Sequence, residues 1–391
     1  MYRRSVPKIG IIFYVCLLVI VEIFALFLMY KSSNNKNANL ATVDLKGNIV
    51  NNDMFAIMLE QSDGTYKEDK SNTWPTDGYT YNASMSGCID INGNKLDGVL
   101  TYDATNNIAT VDTGNTSYCY LYFSMPNAGE YLLKNPTSGL NNITLEAGMY
   151  RYQGTDAMNY VCFGTTVKSE CVGNTDAYMY RIIGIQENGQ MKLIKKEALN
   201  STVQWWSDYT TDVTWPNSLI YKHINDTENT NNYLKNTTYV PTGWESKIAT
   251  TSWKYGDSTN SGNYDGPTIY ATENAWTDTE PAKIGLWYLS DYYYAYASGG
   301  APGSSSNAVT AWIHLSKNDT SAPSTSYEWT MSRCGYDDDY SSYGAWAVYS
   351  SGSLYSNYLY NALSVRPVFY LTSDIRITGG TGTIDDPFLI S

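Results

Sequence analysis

The apolar positions change their spacing along the chain, and each change marks a different kind of element. From Ile9 to Tyr30 they run almost unbroken for 22 residues, with Glu22 as the one charge. As a helix this stretch would span roughly 33 Å, enough to cross a hydrocarbon core of about 30 Å. Arg3, Arg4 and Lys8 stand before it, and basic residues mark the cytoplasmic flank. The run exceeds a signal-peptide core and ends at Leu28-Met29-Tyr30-Lys31 without a small-x-small cleavage site. The expected layout is a cytoplasmic tail at 1–8, an uncleaved transmembrane helix at 9–30 and a polar linker at 31–40. That describes a single-pass protein of the cell membrane, N-terminus cytoplasmic and the bulk of the chain extracellular.

Beyond Ala41 the period drops to two. Phe55, Ile57 and Leu59 alternate with Ala56, Met58 and Glu60, and Ile89 and Ile91 lead into Asn92-Gly93-Asn94 before Leu96. Short strands between Asn, Asp and Gly clusters predict a small all-β, sandwich-like module at 41–126. Pro126, Gly129, Pro136 and Gly139 then suggest a connector over 127–146. A larger mixed α+β domain is expected at 147–391. Its strongest signal is a hairpin, 178–185 with 191–195, around Asn188-Gly189, a pair suited to a type I′ turn. Leu219, Ile220, His223 and Ile224 have helical spacing behind Ser218, a competent N-cap. Residues 289–298 read as a second helix, and 328–332, 345–349 and 365–371 as buried strands. Pro367 cannot donate to a ladder, which puts the last at an edge or a bulge.

Composition narrows the partners. The net charge is −13, and without Arg3, Arg4, Lys8 and Glu22 the remainder carries 22 basic against 37 acidic residues, or −15. Such a field repels phosphate backbones, which argues against nucleic acid. Cys16 sits in the apolar run; Cys88 and Cys119, and Cys162 and Cys171, pair by proximity, although four cysteines admit three connectivities. Cys334 is left over. With no C-x-x-C motif and only His223 and His314, no zinc site is expected. G-x-S-x-G, H-E-x-x-H and Walker motifs are absent, so neither a catalytic residue nor a cofactor is implied.

Several runs carry a resemblance. YRIIGIQENGQMKLIKKEAL (180–199), IGLWYLSDYYYA (284–295), EWTMSR (328–333), VRPVFYLTSDIRITGGTGTIDDPFLI (365–390) and WPTDGYTYNASMSGCIDINGNKL (74–96) look like uncharacterised membrane-anchored surface proteins of gut Firmicutes. The layout of the larger domain is similar to the C-type-lectin-like fold shared by formylglycine-generating enzymes. Those enzymes use paired cysteines near the C-terminal end of the fold. Here Cys334 in Ser332-Arg333-Cys334-Gly335-Tyr336 has no second cysteine beyond it, which argues against that oxidase activity.

The aromatic residues are the most telling chemistry. There are 37 tyrosines against 8 phenylalanines, and ten of the 11 tryptophans fall after residue 200. Amphipathic rings give broad, low-entropy contact surfaces for sugars and proteins. Trp205, Trp206, Tyr340, Tyr343, Tyr355 and Tyr358 are the candidate ligand contacts, whereas Trp287, Trp329 and Trp346 have apolar flanks and suit a core. Asp337-Asp338-Asp339 is the densest acidic cluster, but three consecutive aspartates point in different directions and do not shape a calcium loop. The leading expectation is a non-enzymatic surface protein that binds a glycan or a surface protein in adhesion. The alternatives are an enzyme acting on surface polysaccharide, which needs a pocket with facing carboxylates or Cys334 beside a histidine, and a purely structural envelope protein.

Overall fold

The computed structural model describes residues 41–391 except 45–47, 50–54, 62–63, 72–74, 76–78, 104–107, 112–116, 209–212, 227, 229–230, 259–265, 297–310, 314–326, 338–339 and 350–351. The expected transmembrane helix at 9–30 therefore lies outside the described residues. Among those described, no helix is long and apolar enough to cross a membrane. The chain divides after Met125 into two compact units, mostly β with few helices.

In the first unit, a four-stranded antiparallel sheet runs in the order Asn48–Ile49, Ala41–Asp44, Ile108–Val111, Leu100–Asp103. A second sheet is built around Ser117–Ser124, with Phe55–Glu60 parallel to it on one side and Gly87–Asp90 antiparallel on the other. Ile57, Leu121 and Phe123 from this sheet meet Ala109 from the first in a small core. The Cys88–Cys119 disulfide joins residues directly opposite each other on paired strands, Cα atoms 4.0 Å apart. It is thus a cross-strand link within one sheet.

The second unit is organised on an antiparallel sheet in the order Met149–Arg151, Met179–Gln186, Met191–Lys195, Val368–Tyr370. Met191–Lys195 is buried throughout and Met179–Gln186 in all but its last residue, so both sheet faces are covered. Val368–Tyr370 ends the sheet order with Pro367 just before it; Pro367 O accepts from Lys195 N of the inner strand, and Gly285 pairs with Val368 on the far side. A three-stranded meander, Tyr327–Asp337, Tyr340–Tyr349 and Leu354–Tyr358, stands beside this sheet in sequence order. Cys162–Cys171 forms the second disulfide, and Cys334 is a buried thiol outside both.

The central hairpin sits where the sequence places it, but its turn differs. Gly189 alone is left-handed, at φ 83°, and its N–H returns to Gln186 O; Asn188 keeps a negative φ. This is a type I turn followed by a glycine bulge, not type I′. Helix Leu219–Asn225 forms as expected, with the Ser218 hydroxyl accepting from Tyr221 N. The helix expected at 289–298 is observed as Leu289–Tyr294.

Residues 127–134, expected within a connector, belong to the second unit. Asn127 and Glu130 form a capping box, helix Ala128–Lys134 follows, and Leu132 is fully buried. Gly129 lets this helix lie against the hairpin turn: a Cβ there would meet the Gly189 carbonyl oxygen at 2.1 Å. Gly129→Ala, which helix propensity favours by about 1 kcal/mol, is expected instead to destabilise the unit by roughly 2–3 kcal/mol through overpacking. Equilibrium denaturation measures the sign; a stabilised variant would refute the close approach.

Candidate functional site

The residues singled out in the sequence do not converge. Trp205 has no exposed surface and packs edge-on against Trp215 at 5.5 Å and Trp329 at 6.4 Å. Its apolar neighbours outweigh its place in a polar stretch, and as a surface contact it is corrected to a core residue. Trp206 is half-buried against the same core, with the Lys222 ammonium 5.8 Å from its ring centroid. Tyr355 is 42% exposed and groups edge-on with Tyr327 and Tyr349, while Tyr358 stacks on Tyr360 at 5.2 Å. The side chains of Tyr340 and Tyr343, and residues His314, Asp338 and Asp339, lie outside the described residues.

A cleft of about 260 Å³ instead draws lining residues from all four strands named above for the second unit's central sheet. Strand Met149–Arg151 supplies Arg151, strand Met191–Lys195 supplies Lys192, and Thr251–Lys254 supplies Ser252 and Lys254. Helix Gly266–Ala275 brings Tyr270, Glu273 and Asn274, and the start of helix Leu289–Tyr294 brings Tyr288, Ser290 and Asp291. Tyr370 completes the wall.

Asp291 anchors the floor. Its Oδ1 accepts from Arg151 at 2.7 Å, and its Oδ2 accepts from Lys192 at 2.5 Å and from Tyr288 N at 2.9 Å. All three charged side chains are at most 2% exposed. Burial alone would raise the Asp291 carboxyl, but the Lys192 ammonium and the Arg151 guanidinium reverse this and hold it below the ordinary carboxylate range. The Lys192 ammonium lies 4.7 Å from the Tyr288 ring, 5.7 Å from Tyr370 and 5.8 Å from Trp253, an aromatic box that favours a cation. Arg151 donates further to Glu146 O at 2.9 Å and Ala147 O at 3.2 Å. Those carbonyls flank a tight turn in which Ala147, at φ 52°, and Gly148, at φ 75°, are both left-handed. Ala147 is the one non-glycine with positive φ among the described residues, and it sits on the cleft wall.

Glu273 behaves differently. Ser332 Oγ donates to its Oε1 at 2.5 Å and Ser290 N approaches at 3.3 Å, but no cation is among these partners. Burial pushes its carboxyl up to about 7, with the nearby Asp291 charge adding to the rise against the lowering by the Ser290 and Ser332 hydrogen bonds. One cleft thus holds a firmly ionised carboxylate and a carboxylic acid that titrates near neutrality. The divergence resembles acid–base division of labour. Yet both Asp291 oxygens are engaged by protein donors and the side chain is 1% exposed, which suits electrostatic anchoring better than nucleophilic attack. Among the described residues no group of three His, Cys, Asp or Glu side chains is placed to hold a metal ion.

Sequence reasoning passed over these residues, although each carries a faint mark. Lys192 interrupts an apolar strand, and Glu273 lies four residues after Ile269 on the same helix face, where an acid is out of place.

Glu273 sets a pH dependence. Its carboxyl is raised from 4.5 to about 7 in the folded state, so its contribution is fully present below pH 4.5 and is lost as pH rises through 7. Relative to Glu273→Gln, the native chain should lose on the order of 3 kcal/mol across that window, read as urea midpoints from pH 4 to 8. Parallel curves for the two proteins would refute the assignment. At the turn, Ala147→Gly should stabilise by about 0.5–1 kcal/mol by relieving a left-handed alanine, which a thermal melt would register. No protein-family model, curated protein or solved structure matches this chain.

Proposed function

We propose that the chain is a membrane-anchored cell-surface binding protein whose second unit takes a glycan, or a polar segment of another surface protein, in the cleft described above. The observation that carries this reading is the cleft itself. Tyr270, Tyr288 and Tyr370 offer ring surfaces beside Ser252, Lys254 and Asn274, the combination of apolar face and hydrogen-bonding rim that sugars require. Two disulfides support an oxidising location, in keeping with the apolar segment at 9–30 serving as a single anchor that leaves the rest of the chain outside. The short sheets and long irregular connections of the second unit accord with a C-type-lectin-like domain.

A hydrolytic reading draws on Glu273 and Asp291 sharing one cleft. The engagement of Asp291 by Arg151, Lys192 and Tyr288 N favours binding over hydrolysis.

The purified full-length chain on a glycan and mucin array tests the proposal. Retention of defined glycans that is lost in Tyr270→Ala, a part-buried ring on the cleft wall, is the expected result. An array blank with and without calcium, or binding indifferent to Tyr270, would overturn it; glycan shortening during incubation would favour the hydrolase.

A further inference from the structure

The charge balance of the cleft goes one step further and rests on the binding reading above. The chain as a whole carries −13. The cleft reverses that sign, since Arg151, Lys192 and Lys254 line it against Asp291 and Glu273. Asp291 lies between Arg151 and Lys192 and neutralises only one of the two. Glu273 meets hydroxyl and amide donors from Ser332 and Ser290 and carries only part of its charge near pH 7, so three cations face at most two carboxylates. The surplus is therefore positive, and the low-dielectric tyrosine walls at Tyr270, Tyr288 and Tyr370 extend its reach.

Lys254 is the cation best placed to meet a ligand. Arg151 and Lys192 are sealed in the floor, whereas Lys254 is part-exposed and lines the cleft. Its ammonium is tethered to helix Gly266–Ala275 by the main-chain and side-chain oxygens of Asn274. An ammonium has three donors, so this tether orients the group and leaves a donor for a guest. Ser252 is exposed beside it and is not an acid that would compete for it.

We propose that the cleft selects a carboxylate-bearing sugar of the uronic or sialic acid class, with the carboxylate on Lys254 and the pyranose face against the Tyr270 and Tyr288 rings. A neutral sugar forfeits the charge-assisted bond, and an amino sugar meets like charge. A volume of about 260 Å³ accommodates one such residue. The cleft would thus read a terminal or single acidic unit of a polymer.

The test compares methyl glucuronide, methyl glucoside and glucosamine on the full-length chain by ligand-observed NMR and calorimetry at two ionic strengths. Glucuronide should bind about tenfold more tightly than glucoside, as a charge-assisted hydrogen bond implies, with the margin narrowing in high salt. Lys254→Gln should erase the preference and Lys254→Arg should keep it, with matching melting curves to certify the fold. Equal binding of glucoside, preference for glucosamine, or a preference surviving Lys254→Gln would overturn this inference while leaving a glycan-binding cleft in place. Absence of binding by every sugar would bring down both readings.

Discussion

The second unit depends on one buried carboxylate. Asp291 ties together three elements far apart in sequence: strand Met149–Arg151 through Arg151, strand Met191–Lys195 through Lys192, and the start of its own helix through Tyr288 N. Desolvating three charges costs several kcal/mol per ion, so the cluster is not a simple source of stability. Its effect is specificity. Any packing that displaced helix Leu289–Tyr294 from the sheet would strand two cations in an apolar interior, at about 3–5 kcal/mol for the broken pair. The same constraint reaches the turn at Ala147 and Gly148, because Arg151 gives two further donors to Glu146 O and Ala147 O. A left-handed alanine is tolerated there because the guanidinium fixes the carbonyls beside it.

The cleft follows from that arrangement. Elements that must converge on Asp291 cannot also close over it, and the gap above is walled by whatever side chains the helix Gly266–Ala275 and the strand Thr251–Lys254 present. Glu273 shows the electrostatic consequence. It lies close enough to feel Asp291, but the cations nearby are already committed, so its own charge has no counterpart and the proton stays on near neutrality. Lys192 and Arg151 hold Asp291 down, while burial, helped by the Asp291 charge, raises Glu273.

What the sequence made legible was local. Asn188-Gly189 marked the hairpin, Ser218 the helix start, Pro367 a strand at the end of the sheet order, and the proximity of Cys162 to Cys171 and of Cys88 to Cys119 the two disulfides. The failures share a physical cause. Helix Ala128–Lys134 was hidden by flanking prolines and glycines, yet Gly129 is small because it touches Gly189, sixty positions onward. Arg151 and Asp291 are 140 residues apart, and nothing in either neighbourhood announces the other. At the turn Gly189 alone takes a positive φ, and the register shift between Met179–Gln186 and Met191–Lys195 lies further along, between Ile182 and Gly184, where the sequence carries no turn signal.

The abundance of tyrosine and tryptophan takes on a different meaning in this light. Most of these rings serve the interior. Arg181 lies 4.2 Å from the Tyr160 ring and 4.7 Å from Trp312, Arg366 lies 5.2 Å from Trp287, and Lys195 lies 5.1 Å from Tyr239. Their polar tips are used as well: Tyr292 donates to Gly352 O and receives from Tyr296, and the indoles of Trp253, Trp287, Trp312 and Trp329 each donate to a main-chain carbonyl. A sheet that buries arginine and lysine needs walls that are apolar in bulk, electron-rich on the face and able to satisfy irregular backbone, and phenylalanine meets only the first two. Aromatic richness is therefore first a solution to buried charge. It becomes available for recognition where that packing reaches the surface, at Tyr270, Tyr288 and Tyr370 around the cleft.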